Sequence, residues 1–172
     1  MIRINDVHAT KLIAQASQIE FVPKLHHCIA DYSGNDQLKG GVLFTNYRVG
    51  SVAIHMAGFR KNWVSKSMLY LAFHFPFRQL KVKKLFGMVP ERNVEARNND
   101  LHLGFKIEYM IDDVYGYEDG VNGMYLMSMR REDCKWLDMP MSFIEYAPDS
   151  LMGPIEPHSL STAPPYNNLP AE

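Results

Sequence analysis

The sequence predicts an α/β fold: a mixed sheet of about six or seven strands flanked by helices, with an extended Pro-rich tail. The predicted elements follow the order strand, helix, strand, helix, strand, which is typical of an α/β sandwich with a mixed sheet. Seven of the ten prolines fall between Asp138 and Glu172, where they exclude a continuous helix or a central strand. We therefore predict one domain over residues 1–137 and an extended tail over residues 138–172.

The N-terminal part is predicted as a helix followed by three antiparallel strands. Asp6 can cap a helix that ends near Ser17, because the apolar residues between them fall near one face. The tetrapeptide Ser33–Asp36 (SGND) has strong turn chemistry, and its Gly34 and Asn35 can take positive φ. A second turn is expected over residues 46–50. The strands are predicted at His26–Tyr32, Gln37–Thr45 and Ser51–Ala57.

A second helix is predicted to begin after Ser65, whose hydroxyl can cap a helix N-terminus. The apolar residues from Met68 to Phe75 cover a broad face of this helix. Pro76 should kink or end it, because proline lacks an N–H and its ring clashes with the preceding turn.

The segment from Leu85 to Phe105 is predicted as a strand and a helix that meet at a crevice. Leu85–Val89 is a short apolar run closed by Pro90, which indicates a buried strand. Asn93 can cap the following helix, Val94–Leu103, and Gly104 is the expected left-handed terminator. A helix N-terminus placed after a strand leaves N–H groups that suit an acyl carrier or a phosphate. The last two strands are predicted at Phe105–Ile111 and Met124–Met129.

Composition and charge argue against several classes of protein. The formal net charge of the 172 residues is −1, so we expect no bulk electrostatic attraction to nucleic acid or to acidic membranes. No apolar run approaches the roughly 20 residues that span a bilayer, and the N-terminus lacks the apolar core of a signal peptide. Cys28 and Cys134 have neither metal-ligand nor redox spacing. We therefore expect a cytoplasmic protein with two reduced thiols and no metal.

Several motifs in order resemble one known family. The spacing of Asn93, Ala96 and Leu103–Phe105 (LGF) resembles the last conserved block of the Gcn5-related N-acetyltransferase (GNAT) superfamily. The motifs NYR at 46–48, WVSK at 63–66, FPFRQL at 75–80 and MRREDCKWL at 129–137 are similar to GNAT-type proteins of tailed phages. The resemblance covers roughly residues 26–137. It implies an acetyltransferase of the host cytoplasm that uses acetyl-CoA as co-substrate and acts on a small-molecule amine or a protein amino group.

The resemblance also implies where acetyl-CoA binds. In the family, the strand that ends near residue 57 splays from the strand at 85–89, and acetyl-CoA enters the opening. The pyrophosphate loop, Gln/Arg-x-x-Gly-x-Gly/Ala in most members, aligns with Arg60–Ser65, where Trp63 replaces a glycine. An ordinary capped helix with basic solvated residues is the alternative. The implied cofactor-binding residues are Ala53, Ile54, Met56, Arg60, Trp63, Val64, Ser65, Lys66, Asn93, Ala96 and Asn99.

Three residues are candidates for catalysis. His55 interrupts an apolar strand beside the implied acyl site, and a side chain with a pKa of about 6.5 suits a general base; a half-buried structural histidine is the alternative. Glu91 is a second candidate base, or else a carboxylate that complements a helix dipole. Asp100 stands where the family often has a tyrosine that protonates the departing thiolate. Tyrosines that could instead reach in from neighbouring segments are Tyr115, Tyr117 and Tyr125.

A second function from a different class fits the same resemblance. Some short-tailed phages carry a GNAT-like protein among their head-assembly or internal virion components, and this chain resembles that group in size and motif pattern. The substituted glycine, the missing tyrosine and the Pro-rich tail favour a scaffold that docks on phage head or DNA-ejection proteins. The tail also carries more apolar residues than a pure linker needs, which leaves both a loose terminus and a partner-binding arm open.

Overall fold

The computed structural model describes residues 1–22 and 26–139, which form a seven-stranded mixed sheet with three α-helices and confirm the predicted α/β class. Nearly all of the predicted tail lies outside the described residues, which end at Met139, so the proposed division at residue 137 stays a prediction. The elements are β1 (Ile2–Ile4), α1 (Val7–Ala16), β2 (His27–Tyr32), β3 (Leu38–Arg48), β4 (Ser51–Gly58), α2 (Lys66–His74), β5 (Lys84–Pro90), α3 (Val94–Leu103), β6 (Lys106–Ile111) and β7 (Met124–Arg130).

The sheet has the strand order β1-β2-β3-β4-β5-β7-β6. All neighbours are antiparallel except β4 and β5, which run parallel. The strand that the sequence pattern did not predict is β1, whose Ile2 and Ile4 lie opposite Asp31 and Ile29 of β2. Three residues are too few to show a period, so only the pairing with β2 identifies this strand.

The predicted helix ends are confirmed. The side chains of Asp6, Ser65 and Asn93 cap α1, α2 and α3, accepting hydrogen bonds from backbone N–H groups three residues later. Gly104 ends α3 in the left-handed region with φ 110°. The predicted SGND turn is present, closed by a hydrogen bond from the N–H of Asp36 to the Ser33 carbonyl at 3.1 Å. Its residue with positive φ is Asp36, at 61°, rather than Gly34 or Asn35; aspartate tolerates this conformation.

Pro76 ends the α-helical hydrogen bonding of α2, as predicted, but it does not end the helical path. The chain continues through a π-helical turn, Phe75–Gln79, in which the N–H of Leu80 donates to the carbonyl of Phe75 at 3.0 Å. The wider turn accommodates a residue that has no N–H to donate. It also buries Phe75, Pro76 and Phe77 in the core.

Helices α1 and α2 cover opposite faces of the sheet, here called the α1 face and the α2 face. On the α1 face, a small core joins α1 to β2, β3 and β4. On the α2 face, a larger core joins α2 and the π-helical turn to β3, β4, β5 and β7. The larger core reaches only one face of β5: Leu85 and Val89 are buried, whereas Met88 is 39% exposed. The prediction that this strand is buried throughout was therefore wrong.

Candidate functional site

The two parallel strands at the centre of the sheet separate after three residue pairs. Ser51, Val52 and Ala53 of β4 lie opposite Lys84, Leu85 and Phe86 of β5. Beyond this point each strand pairs only with its other neighbour, β4 with β3 as far as Gly58 and β5 with β7 as far as Pro90. The gap between residues 54–58 and 87–90 is here called the slot. It opens where the sequence resemblance placed it.

Backbone groups of β4 face the slot. A Cβ on Gly87 would lie 3.5 Å from the carbonyl oxygen of Ile54, so this oxygen points across the slot toward β5. Because peptide groups of alternate residues in a strand point the same way, the N–H and C=O of Met56 also face the slot, beyond the last β4–β5 pair. Backbone groups of this kind need hydrogen-bond partners. Ala53, which was predicted to line the acyl end, lies in the last paired position and is fully buried.

Trp63 does not fill the slot. Its indole lies on the α2 face of the sheet over two glycines, Gly40 of β3 and Gly58 of β4. A Cβ on Gly58 would lie 2.1 Å from the ring, and one on Gly40 would lie 2.3 Å from it. Glycine within a strand often marks such a close approach, which is the sequence signal that would have located the ring. Trp63 is therefore packed at the end of β4, on the side away from β5.

The N-terminus of α2 already has a negative partner within the protein. The Ser65 oxygen accepts from the N–H of Met68 at 3.1 Å, and its hydroxyl also hydrogen-bonds the buried carboxylate of Asp31. Lys39 donates to the same carboxylate at 2.8 Å. Burial by itself raises the pKa of Asp31, but the hydrogen bonds from Lys39, the Met1 amino group and Ser65 outweigh it and leave the pKa below its usual value.

Of the two predicted basic residues near this loop, Lys66 lies at the α2 N-terminus and Arg60 lies apart from it. Arg60 is exposed and donates to the side chain of Gln37 in the β2–β3 turn. Val64 is 40% exposed, and Lys66 is exposed at the first position of α2. Sequence reasoning missed Asp31, because only the tertiary fold brings a β2 carboxylate beneath the start of α2.

Helix α3 borders the slot from the β5 side. Its cap, Asn93, accepts from the N–H of Ala96 at 3.1 Å, three residues after β5 ends. Ala96 is half-buried against the α2-face core, while Asn99 is exposed. The structure therefore places Asn93 next to the slot end of β5, Ala96 against the α2-face core and Asn99 on the solvent side of the helix.

His55 lies one residue beyond the last β4–β5 pair, with its side chain on the α1 face. It is nine-tenths buried, and its Nε2 lies 2.9 Å from the Thr45 hydroxyl. Burial, together with nearby His26, lowers the pKa of His55 to about 4. The imidazole is therefore neutral at physiological pH, and it is a weaker base than its reference pKa suggested.

Asp100 lies on the half-buried face of α3 that includes Ala96 and Leu103. Burial raises the pKa of this carboxyl to about 7. A substantial fraction of the Asp100 side chains therefore carries a proton at neutral pH. Such a group can donate a proton, which an ionised aspartate cannot do.

The other candidates are engaged elsewhere. The Glu91 carboxylate accepts from the N–H of Gly123 at 3.1 Å, and its backbone N–H donates to the Gly123 carbonyl at 2.8 Å; it fastens the end of β5 to the start of β7. Tyr115 stacks on Tyr117. Tyr125 lies opposite Val89 of β5, and Arg97 of α3 donates to its hydroxyl at 3.3 Å.

Two further observations concern metals and membranes. Within residues 1–22 and 26–139, no three His, Cys, Asp or Glu side chains are grouped closely enough to hold a metal ion. No helix in this part of the chain is both long and apolar enough to cross a bilayer.

Comparison with known proteins places the fold. No family model matches the sequence, and no curated protein matches it. Among solved structures, a chimera of the spermidine N-acetyltransferase SpeG from Vibrio cholerae and hSSAT is similar, with a TM-score of 0.62 and 13% identity over 80% of this chain and 99% of that one.

Two ligand complexes are also similar. Vibrio cholerae spermidine N-acetyltransferase with CoA and spermine has a TM-score of 0.61 and 13% identity, covering 77% of this chain and 96% of that one. A Bacillus subtilis acetyltransferase with CoA has a TM-score of 0.57 and 16% identity, covering 75% and 97%. The chain therefore has the GNAT fold that the sequence predicted.

Proposed function

We propose that this GNAT-fold protein is an acetyl-CoA-dependent N-acyltransferase that transfers an acetyl group to an amine by direct attack on the thioester. The slot between β4 and β5 carries this proposal, because it exposes backbone groups of β4 at the centre of the sheet. Similar structures hold CoA, and one of them also holds spermine.

The residues around the slot suit an extended acyl carrier. The N–H and C=O of Met56 can hydrogen-bond an amide-containing arm laid along β4, as a neighbouring strand would. Asn93 and the first turn of α3 border the same gap from the other side. The N-terminus of α2 is the candidate position for phosphates. It differs from a glycine-rich loop in two ways: Asp31 adds a negative charge, and Trp63 replaces a glycine.

We assign the proton transfers to two side chains. Bound acetyl-CoA would supply an activated acetyl group; the amine nitrogen forms the new bond to its carbonyl carbon, and the carbon–sulfur bond breaks. His55, neutral at physiological pH and next to the last β4–β5 pair, can accept the proton that the amine loses, directly or through a water. Asp100 on α3 can return a proton to the departing sulfur, the role that a tyrosine has in many GNAT members.

A thermal-shift experiment tests the proposal. A ligand that binds only the folded state stabilises it by about 2.7 kcal/mol at one hundred times its Kd, which raises the Tm of a chain of this size by about 5–10 °C. We expect acetyl-CoA and CoA to give such a shift, and a Trp63→Gly variant to show a larger ligand-induced shift despite a lower starting Tm. A flat response at millimolar acetyl-CoA would refute the proposal.

A second candidate is a catalytically weak or silent GNAT-fold protein of phage head assembly or DNA ejection, active in the host cytoplasm or within the virion. The observation in its favour is the α2 N-terminus, where Trp63 replaces the usual glycine and Asp31 supplies a negative charge. Co-purification with capsid or ejection proteins that depends on residues 138–172, combined with no response to acetyl-CoA, would support it. A deletion of that segment that leaves particle assembly and infectivity intact would count against a docking role for the tail.

A further inference from the structure

Toward the slot, the α1 face of β5, β7 and β6 is apolar, and no described helix covers it; polar residues such as Lys84, Glu108 and Ser128 lie at the other end of the same face. Alternation along β5, β7 and β6 places six apolar side chains on this face, and none of them belongs to either hydrophobic core. Met88, Tyr109 and Ile111 are 39%, 66% and 37% exposed. We call this set the open apolar face; its members are Phe86, Met88, Met124, Leu126, Tyr109 and Ile111.

The open apolar face is contiguous with the slot. Met88 lies on the part of β5 that has separated from β4, and its row continues through Leu126 to Tyr109. Neighbouring strands are about 4.8 Å apart, so three strands present a surface about 10 Å wide. A ligand that covers this surface reaches the edge of the slot on the same face as His55.

At the slot end, the unpaired charges beside the open apolar face are negative. The basic residues of the same face, Lys84, Lys106 and Arg130, lie at the other end of the strands, and Arg92 at the slot end is paired with Asp119. The chain has no Lys or Arg between Lys106 and Arg130. Asp112 and Asp113 follow β6 directly, at the slot end of the sheet, and neither they nor Glu118 forms an ion pair in the described part of the chain. A ligand that carries positive charge is complementary to this end of the face.

We infer that the open apolar face binds the acyl acceptor, and that this acceptor is a polypeptide segment combining apolar side chains with positive charge. This inference rests on the proposed function and specifies the class of its acceptor. A free polyamine would satisfy the carboxylates but would leave six apolar side chains uncovered. A peptide covers them and presents a lysine or N-terminal amine to the slot, with its charge near Asp112 and Asp113.

Peptide binding by the full chain tests the inference without turnover. The probe is a fluorescent twelve-residue peptide of lysines and leucines; the matched control peptide has serine in place of every leucine. We expect binding of the first peptide only, weakened about tenfold by Met88→Ser or Tyr109→Ser, because each change removes one apolar contact. Val49→Ser is the control variant: Val49 is 85% exposed in the turn at the opposite end of β4, and its replacement should leave binding unchanged. Equal binding of the two peptides would overturn the inference.

A photo-crosslinker identifies the occupant directly. Tyr109→benzoylphenylalanine places the reactive group on the open apolar face, where the 66% exposure of Tyr109 leaves room for the larger side chain, and the same substitution at Val49 is the control. Mass spectrometry should find the added peptide joined at position 109. A crosslink instead to a second copy of the chain, or to residues 140–172, would overturn the inference.

Acetyl-transfer assays separate the two proposals. If acetyl-CoA binds and the lysine–leucine peptide is acetylated with a kcat/KM at least about tenfold above that of spermidine, both stand. If spermidine is the equal or better acceptor, the transferase stands and the peptide inference fails. If the peptide binds the face but acetyl-CoA gives no thermal shift, the transferase and the acceptor role of the face both fail, and only peptide binding by the face stands.

Discussion

The contact between Trp63 and Gly58 gives a sharp test of the structure. In a Gly58→Ala variant the new Cβ would lie 2.1 Å from the indole, and the three nearest atoms all belong to Trp63. Overpacking of this kind costs about 1–3 kcal/mol. Replacing a strand glycine by alanine returns about 0.5–1 kcal/mol by restricting the unfolded chain. We therefore expect a net destabilisation of about 1–2 kcal/mol.

A double-mutant cycle isolates the cause. Without the indole, Gly58→Ala should be neutral or stabilising by about 0.5 kcal/mol, so its coupling with Trp63→Ala should be about 2 kcal/mol. Gly40→Ala is the matched control, because its Cβ would also lie 2.7 Å from the backbone oxygen of Ala57; it should stay destabilising in both backgrounds. Urea unfolding followed by circular dichroism gives all six free energies of unfolding. A Gly58→Ala penalty that is the same with and without the indole would refute the packing argument.

Three further predictions concern titratable groups. Because the pKa of His55 is lowered to about 4, the neutral imidazole contributes free energy of unfolding that is present above pH 6.5 and is lost as the pH falls through 4. Urea titrations should show a loss of about 2–3 kcal/mol that is absent in His55→Gln. A His55 pKa near 6.5, measured by NMR, would contradict this prediction. Because the pKa of Asp100 is raised from 3.8 to about 7, the ionised carboxylate destabilises the fold at high pH. Asp100→Asn should therefore raise the free energy of unfolding by about 1–2 kcal/mol at pH 8, a value reduced for partial solvent exposure, and leave it unchanged near pH 3.5. A gain in stability that is the same at both pH values would show that Asp100 does not have a raised pKa. Burial raises the pKa of Cys28 and Cys134 to about 11, so a thiol reagent at pH 8 should modify both thiols only after denaturation; rapid labelling of the native protein would show that one of them is accessible.

The sequence predicted the helix ends, because these depend on local chemistry. Caps at Asp6, Ser65 and Asn93 and the left-handed Gly104 depend on side chains within a few residues of their targets, so the helix boundaries follow from the sequence alone. The order of elements predicted a mixed sheet but not β1 or the order of the strands, and the resemblance of motifs predicted the separation of β4 and β5. The SGND turn shows the limit of local reasoning: several residues in it tolerate positive φ, and the pairing of β2 with β3 selects Asp36.

The site depends on contacts between distant residues, which no local pattern shows. Trp63 meets Gly40 and Gly58 only because β3 and β4 bring the two glycines side by side. The protonation of Asp100 and His55 follows from burial, which depends on the whole fold rather than on neighbours in sequence. The hydrogen bond from Arg60 to Gln37 of the β2–β3 turn is likewise a contact between distant residues, which no pattern near residue 60 predicts.

Asp31 has a consequence for ligand selectivity. A helix start that already shares a hydrogen bond with an ionised carboxylate offers less attraction to an incoming pyrophosphate than an open glycine-rich loop does, because like charges repel in a partly desolvated site. Recognition should then depend mainly on the pantetheine portion laid along β4. An acetyl donor that lacks the nucleotide, such as acetyl-pantetheine, should consequently compete with acetyl-CoA far better here than in an acyltransferase whose affinity for acetyl-CoA depends on the phosphates.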